Sequence, residues 1–176
     1  MSRTFTLFLA CATATTAFAK GGVDTRLILS LGGGVGHIWS GGHCEYCPDT
    51  FGPASEIGLG LEVASRYVAL EVGGRLLVAT NGRTESAPAA LIAARLTPWR
   101  AIIEIGGGIA HLSGGDSNDE GHFSGGAMLL HGAVGARVSD HFRLLVPFDL
   151  MDRRRGPGTA IFVGLIAEAA IGAPPQ

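Results

Sequence analysis

The chain has 176 residues, a formal net charge of -2 and a pI near 6.3, which fits one domain and leaves no basic face for nucleic acid. Hydrophobic residues make up 47% and charged residues 16%, against a usual charged share of about 25%. This balance excludes intrinsic disorder and is poor in charge for a soluble protein.

The first 19 residues have the organisation of a secretory signal. Arg3 is the positive residue, an apolar stretch follows, and Ala17-Phe18-Ala19 is a small-residue cleavage site. A lipoprotein signal with Cys11 as the lipidated residue would leave a very short apolar region. The sequence therefore predicts export from a bacterial cytoplasm, cleavage after Ala19 and a mature barrel domain of residues 20–176.

Cys44 and Cys47 are the cysteines that remain after cleavage. In an exported chain this close spacing predicts a disulfide that tightens a loop. Pro48 and Pro53 argue against the helix that a thioredoxin-like redox site needs. Zinc is the weaker alternative, because His43 is adjacent but no second pair of ligands lies at a plausible spacing.

Residues 54–80 hold two segments with a period of two residues. Aliphatic residues such as Leu59 and Leu61 alternate there with glycines and with charged residues such as Glu62 and Glu71. Because successive side chains of a strand point to opposite faces, the pattern predicts a hairpin with one apolar face and one face of charges and glycines.

The same period recurs along the mature chain and predicts eight strands, most of them long enough for the ~9–11 residues that cross a bilayer. Long connections follow strands one, three, five and seven, whereas short connections follow strands two, four and six, as in outer-membrane barrels. The predicted strands span residues 25–39, 54–64, 67–80, 88–96, 100–112, 125–138, 142–151 and 159–171.

No charge falls on the apolar face of any predicted strand, as contact with lipid would require. All the strand charges therefore face the interior, which in an eight-stranded barrel is only wide enough for side chains to fill it. We expect a plugged ionic core and neither a diffusion pore nor an apolar cup. The predicted interior network is Arg26, Glu56, Glu62, Glu71, Arg75, Arg95, Glu104, Arg137, Arg143, Asp149 and Glu168.

Aromatic residues lie near the expected membrane interfaces. Trp39 ends strand one on the loop side, and Tyr67, Trp99 and Phe142 lie on the short-turn side, as an aromatic girdle requires.

The signal, the eight dyad segments and the four long loops resemble the small outer-membrane β-barrel proteins of the OmpA membrane-domain and opacity type, along essentially the whole mature chain. The resemblance implies an outer-membrane location, both ends in the periplasm and four loops outside. Such proteins usually end in an aromatic residue that resembles a recognition signal for the insertion machinery. This chain ends in Pro174-Pro175-Gln176, which puts its assembly route in doubt.

His111 and Ser113 are the candidates for catalysis. They share the apolar face at the outer end of strand five, and acidic residues follow in the loop. A histidine base beside a serine nucleophile is what acyl transfer needs. The pattern is similar to the His-x-Ser of the outer-membrane lipid A deacylases, but the following Asn is replaced by Gly114 and no third member can be placed.

The glycine-rich strings lack a following helix or a Lys-Ser/Thr pair, so we expect no nucleotide or other cofactor. The loop of residues 114–122 is acidic, but its spacing does not fit an EF-hand, so we expect no metal. The predicted fold is all-β, a closed eight-stranded antiparallel transmembrane barrel with up-and-down topology. We expect a monomer that contacts outer-membrane lipid and acts as a structural or surface-binding module through its loops. The alternatives are the deacylase-like esterase and a soluble periplasmic barrel that binds a ligand.

Overall fold

A computed structural model describes residues 23–39, 51–80, 84–115, 123–152 and 159–172, with the side chains of residues 38, 39, 115 and 123 excepted. The expected signal, Cys44, Cys47 and the final residues 173–176 lie outside this part of the chain. No helix among the described residues is long and apolar enough to cross a membrane.

Eight antiparallel strands form one closed barrel, because β1 pairs with β2 on one side and with β8 on the other. Every consecutive pair of strands is hydrogen-bonded, so the topology is up-and-down and the predicted fold is confirmed. The strands are β1 (Asp24–Trp39), β2 (Gly52–Ala64), β3 (Val68–Thr80), β4 (Thr84–Leu96), β5 (Ala101–Gly115), β6 (Phe123–Arg137), β7 (Phe142–Asp152) and β8 (Thr159–Ile171).

The largest difference from the predicted boundaries is in β4, which begins at Thr84 rather than at Pro88. Pro88 lies within the strand and pairs with Leu76 of β3, but neither Ala87 nor Pro88 pairs with β5. Proline has no backbone N–H, so it is tolerated where the ladder to β5 is interrupted. β5 also continues to Gly115, and Ser113 therefore belongs to a strand rather than to a loop.

Side chains alternate between the barrel interior and the outer surface along every strand. In β7, for example, Arg143, Leu145 and Asp149 are buried, whereas Leu144 and Val146 are exposed. Most of the large aliphatic side chains on the outer faces of the strands are between 36% and 68% exposed, and the others, such as Leu70 and Leu150, are half-buried. Among the described strand residues, Asp152 at the end of β7 is the one charged side chain on an outer-facing position, so an apolar belt surrounds the barrel.

Three short turns connect β2 to β3, β4 to β5, and β6 to β7, and we call this the short-turn end. At the opposite end, which we call the long-loop end, longer connections follow β1, β5 and β7. The long connection predicted after strand three is wrong, because Thr80 of β3 pairs with Thr84 of β4 and only residues 81–83 join the two strands. Backbone hydrogen bonds close the turns, including Ser65 N to Val68 O at 2.8 Å and Ala101 N to Pro98 O at 3.1 Å. Trp99 has a φ of 57° and a 91% exposed side chain. The aromatic residues predicted for this end therefore lie at the edge of the apolar belt.

Candidate functional site

Arg95 is at the centre of a buried network of ion pairs inside the barrel, near the short-turn end. Its side chain is fully buried, and its guanidinium donates to four carboxylates on four other strands. Nε donates to Glu104 at 2.6 Å and Nη1 to Glu62 at 2.5 Å, while Nη2 donates to Glu71 and to Glu168 at 2.9 Å. Register explains one of these contacts, because Arg95 lies directly opposite Glu104 in the β4–β5 ladder.

Glu62 connects Arg95 to two further arginines. Arg143 donates from Nη1 and Nη2 to the two oxygens of Glu62, each at 2.6 Å. Such paired contacts between guanidinium and carboxylate are among the strong hydrogen bonds of proteins, since they are both charged and geometrically matched. Arg26 lies 3.9 Å from Glu62, at the edge of the network.

His131 extends the network towards the middle of the barrel. Its Nδ1 lies 2.5 Å from Asp149 Oδ1 and its Nε2 lies 3.0 Å from Glu104 Oε1. Arg75 lies 3.4 Å from both Glu104 and Glu56, which joins these two carboxylates to the rest. The prediction did not include His131, although its place on the same face of β6 as Arg137 could be read from the sequence. Its pairing opposite Asp149 depends on the register that the structure shows.

Ten of the eleven residues predicted for the interior are buried and belong to this network, whereas Arg137 is half-buried and has no described carboxylate within 4.0 Å. Glu85 is a further buried carboxyl that the prediction missed, because it placed the start of β4 after that residue.

Glycines on the inner face give the long side chains room. A Cβ atom added at Gly60 would lie 2.9 Å from Glu71 Oε1, and one at Gly58 would lie 3.3 Å from Arg75 Cγ. Real Cβ contacts are essentially never shorter than 3.0 Å, so a side chain at Gly60 would displace Glu71. The glycines and charges of the hairpin therefore lie on the same face for a steric reason.

An apolar cluster fills the interior towards the long-loop end, so the interior is not wholly ionic as the sequence had suggested. Aliphatic and aromatic side chains on the same inner faces as the charges form this layer, and a cavity of about 20 Å³ among them is about the size of one water molecule. The cluster comprises Leu77, Ala87, Leu91, Ala93, Ala110, Leu112, Ala127, Leu129, Met151, Ala160 and Phe162.

Three carboxylates around Arg95 have oxygens close enough together to suggest a cation site. Oxygens of Glu71, Glu104 and Glu168 lie within 4.8 Å of one another. The Arg95 guanidinium occupies the space between them and donates to all three. Because a guanidinium already supplies the positive charge, this arrangement works as a fixed ionic core rather than as a vacant metal site.

The two candidates for catalysis have different partners from the expected ones. His111 Nε2 lies 2.8 Å from Ser124 Oγ on β6, whereas Ser113 Oγ lies 2.9 Å from Ser86 Oγ on β4. His111 and Ser113 therefore each have a hydrogen-bond partner other than the predicted one. The acidic residues that follow in the loop, at 116, 119 and 120, lie outside the described residues, as do Cys44 and Cys47.

No protein-family profile and no curated protein matches the sequence, but solved structures do. The N-terminal β-barrel domain of Pseudomonas aeruginosa OprF gives a TM-score of 0.59 at 8% identity, covering 84% of this chain and 99% of that chain. Ail, the attachment invasion locus protein of Yersinia pestis, gives 0.61 at 6% identity over 84% of this chain and 98% of that chain. Neisserial surface protein A gives 0.54 at 5% identity over 81% of this chain and 96% of that chain.

At these identities the likeness concerns the fold alone. The three proteins are small barrels that this chain covers almost completely, and the resemblance to eight-stranded outer-membrane barrels is confirmed at that level. The chain therefore has the fold of the small eight-stranded β-barrels represented by OprF, Ail and Neisserial surface protein A.

Proposed function

We propose that the protein is an outer-membrane barrel that acts as a closed, rigid anchor and presents the long loops after β1, β5 and β7 to a partner at the cell surface. The observation that supports this most directly is the combination of an apolar belt outside with a buried network of ion pairs inside. A soluble barrel would expose that belt to water, and apolar patches of such extent are rare on soluble monomers.

We propose further that the barrel is closed to ions, because two different layers occupy its interior. The ion-pair network lies near the short-turn end and the apolar cluster lies near the long-loop end. The small cavity in the apolar cluster is about 20 Å³, far less than a continuous water-filled path would need.

The first expected result is that the folded barrel shows no steady single-channel conductance in a planar bilayer. The network and the apolar cluster would both have to rearrange before hydrated ions could pass. A larger porin inserted by the same procedure is the control for successful insertion, and a gel-mobility shift on heating checks that the barrel was folded. Steady channels from the folded protein would contradict the proposed closure.

The loops are proposed to lie outside the cell, with the short turns and both chain ends in the periplasm. Export follows from the expected signal with cleavage after Ala19. The orientation follows from the connections after β1, β5 and β7, which are longer than the short turns, as in outer-membrane barrels. The first long loop contains Cys44 and Cys47, which we propose form a disulfide in the oxidising cell envelope. A pinned loop loses less conformational entropy when a partner binds it.

The second expected result tests the orientation and the disulfide together. On intact cells, a membrane-impermeant maleimide should label the protein only after treatment with an impermeant reductant. Labelling without reductant would show that the thiols are free, and no labelling after reduction would place the loop away from the surface. A variant with both Cys44→Ser and Cys47→Ser is the control for the identity of the labelled thiols.

A further inference from the structure

A patch of hydrogen-bonding side chains interrupts the outer apolar surface near the long-loop end. Ser86, Ser113 and Ser124 face outward on three neighbouring strands, and the ladder places Ser113 directly opposite both of the others. His111 lies on the same outer face of β5, two residues before Ser113. The four side chains therefore share one level of the barrel wall.

The patch contains an accessible serine and histidine pair. His111 is exposed, and its Nε2 lies 2.8 Å from Ser124 Oγ. This distance is within the 2.6–3.2 Å that a nucleophile and its general base require. The hydroxyls of Ser86 and Ser113 lie 2.9 Å apart on the adjoining part of the wall.

A shallow apolar groove begins at His111, which lines it, and runs along the wall towards the short-turn end. Ser124 does not line the groove but lies two residues before Gly126, which does. Its volume is about 690 Å³, and small outward residues form its floor. Pro88 and Ala90 lie on β4 and Gly126 on β6. The larger side chains of Ile109 and Met128, which are paired across β5 and β6, also line the groove. A Cβ atom added at Gly126 would meet no atom within 4 Å, so the floor is open.

We propose that Ser124 and His111 hydrolyse the carboxylic ester of a membrane lipid whose acyl chain lies in this groove. The proposal goes beyond the anchor function but rests on the proposed membrane location, which puts acyl chains against the wall. A serine and histidine pair beside an apolar groove matches an ester linkage. A phosphate group is usually bound by arginine or lysine, and neither is among the described residues that line this groove.

The reaction needs water and no other reactant. Ser124 Oγ attacks the carbonyl carbon while His111 Nε2 takes its proton, and the ester C–O bond breaks as the same proton passes to the leaving alcohol. Water then attacks the acyl-serine ester, again with His111 as the base, and the proton returns to Ser124. The products are one fatty acid and one lipid alcohol.

The test uses the folded full-length mature protein in two measurements. A fluorophosphonate probe reports a reactive serine in micelles, and mass spectrometry identifies the labelled residue. Fatty acid release is measured from vesicles of a diacyl phospholipid and, separately, from lipopolysaccharide, which distinguishes the two sources of the ester. We expect labelling of Ser124 and release from at least one of the two lipids.

Ser124→Ala should abolish both signals and His111→Gln should reduce both by about 100-fold, since general-base catalysis contributes that much or more. Ser55→Ala is the matched control, because Ser55 is exposed on the outer face of β2 near the same end of the barrel. Labelling at Ser113 instead of Ser124 would overturn the assignment. So would folded protein that releases fatty acid from neither lipid, and this failure leaves the proposed anchor intact.

Discussion

Replacing Arg95 with methionine is expected to lower the free energy of unfolding by at least about 3–5 kcal/mol, the usual cost of removing one partner from a buried ion pair. The cost arises because Glu62, Glu71, Glu104 and Glu168 would stay buried without the guanidinium that contacts all four. Urea unfolding in lipid vesicles, followed by the gel-mobility shift of the folded barrel, measures this change.

Arg137→Met is the matched control for this variant. Arg137 is also an inward arginine near the short-turn end, but it is half-buried and lies farther than 4.0 Å from every described carboxylate. Its replacement should change the free energy of unfolding by no more than about 0.5 kcal/mol, as is usual for substitutions outside paired or packed sites. Equal effects of the two substitutions would mean that the network does not stabilise the barrel.

A large effect at Arg95 would also explain how so narrow a barrel tolerates so many charges. An ion pair taken out of water contributes to stability only when its remaining hydrogen-bonding capacity is met. Arg95 donates from all three of its nitrogens, and Arg143 donates from two to one carboxylate. The energetic importance of the core therefore depends on its geometry and not on the number of charges.

Much of this fold could be predicted from the sequence because a strand has a period of two. One inward residue such as Glu62 determines which residues of β2 face inward and which face outward. The absence of charge on the outward face then indicates contact with lipid. The same rule would have placed His131 inside the barrel through its parity with Arg137. Parity alone did not assign His131 to the ionic network, because a lone histidine on an inner face can simply line the barrel.

Partners within the site could not be predicted, because they depend on the register between strands and on the reach of long side chains. Ser113 and Ser124 lie opposite each other, yet the rotamer of His111 joins it to Ser124 and not to its near neighbour in sequence. The sequence did not predict the apolar cluster either. Residues such as Leu112 and Phe162 lie on the same inner faces as the charges and differ from them only in their position along the barrel axis.

Placing an arginine at the middle of the outer belt should separate a membrane barrel from a soluble one. Leu130 is the central residue of β6, faces outward and is 55% exposed. In lipid, Leu130→Arg is expected to destabilise the barrel by about 2–4 kcal/mol, because a basic side chain at the bilayer midplane loses its hydration. In water the same exposed substitution would change the stability by no more than about 0.5 kcal/mol.

Val138→Arg provides the comparison that makes this result specific to depth. Val138 has the same 55% exposure and follows the end of β6 at the short-turn end. An arginine there can reach the headgroup region, so its cost in vesicles should be about 0–1 kcal/mol. Unfolding of both variants in the same vesicles then measures the difference that the hydrocarbon core imposes. Equal and small costs, with the protein recovered in the soluble fraction, would instead support a soluble barrel, and the apolar belt would then need a covering other than lipid.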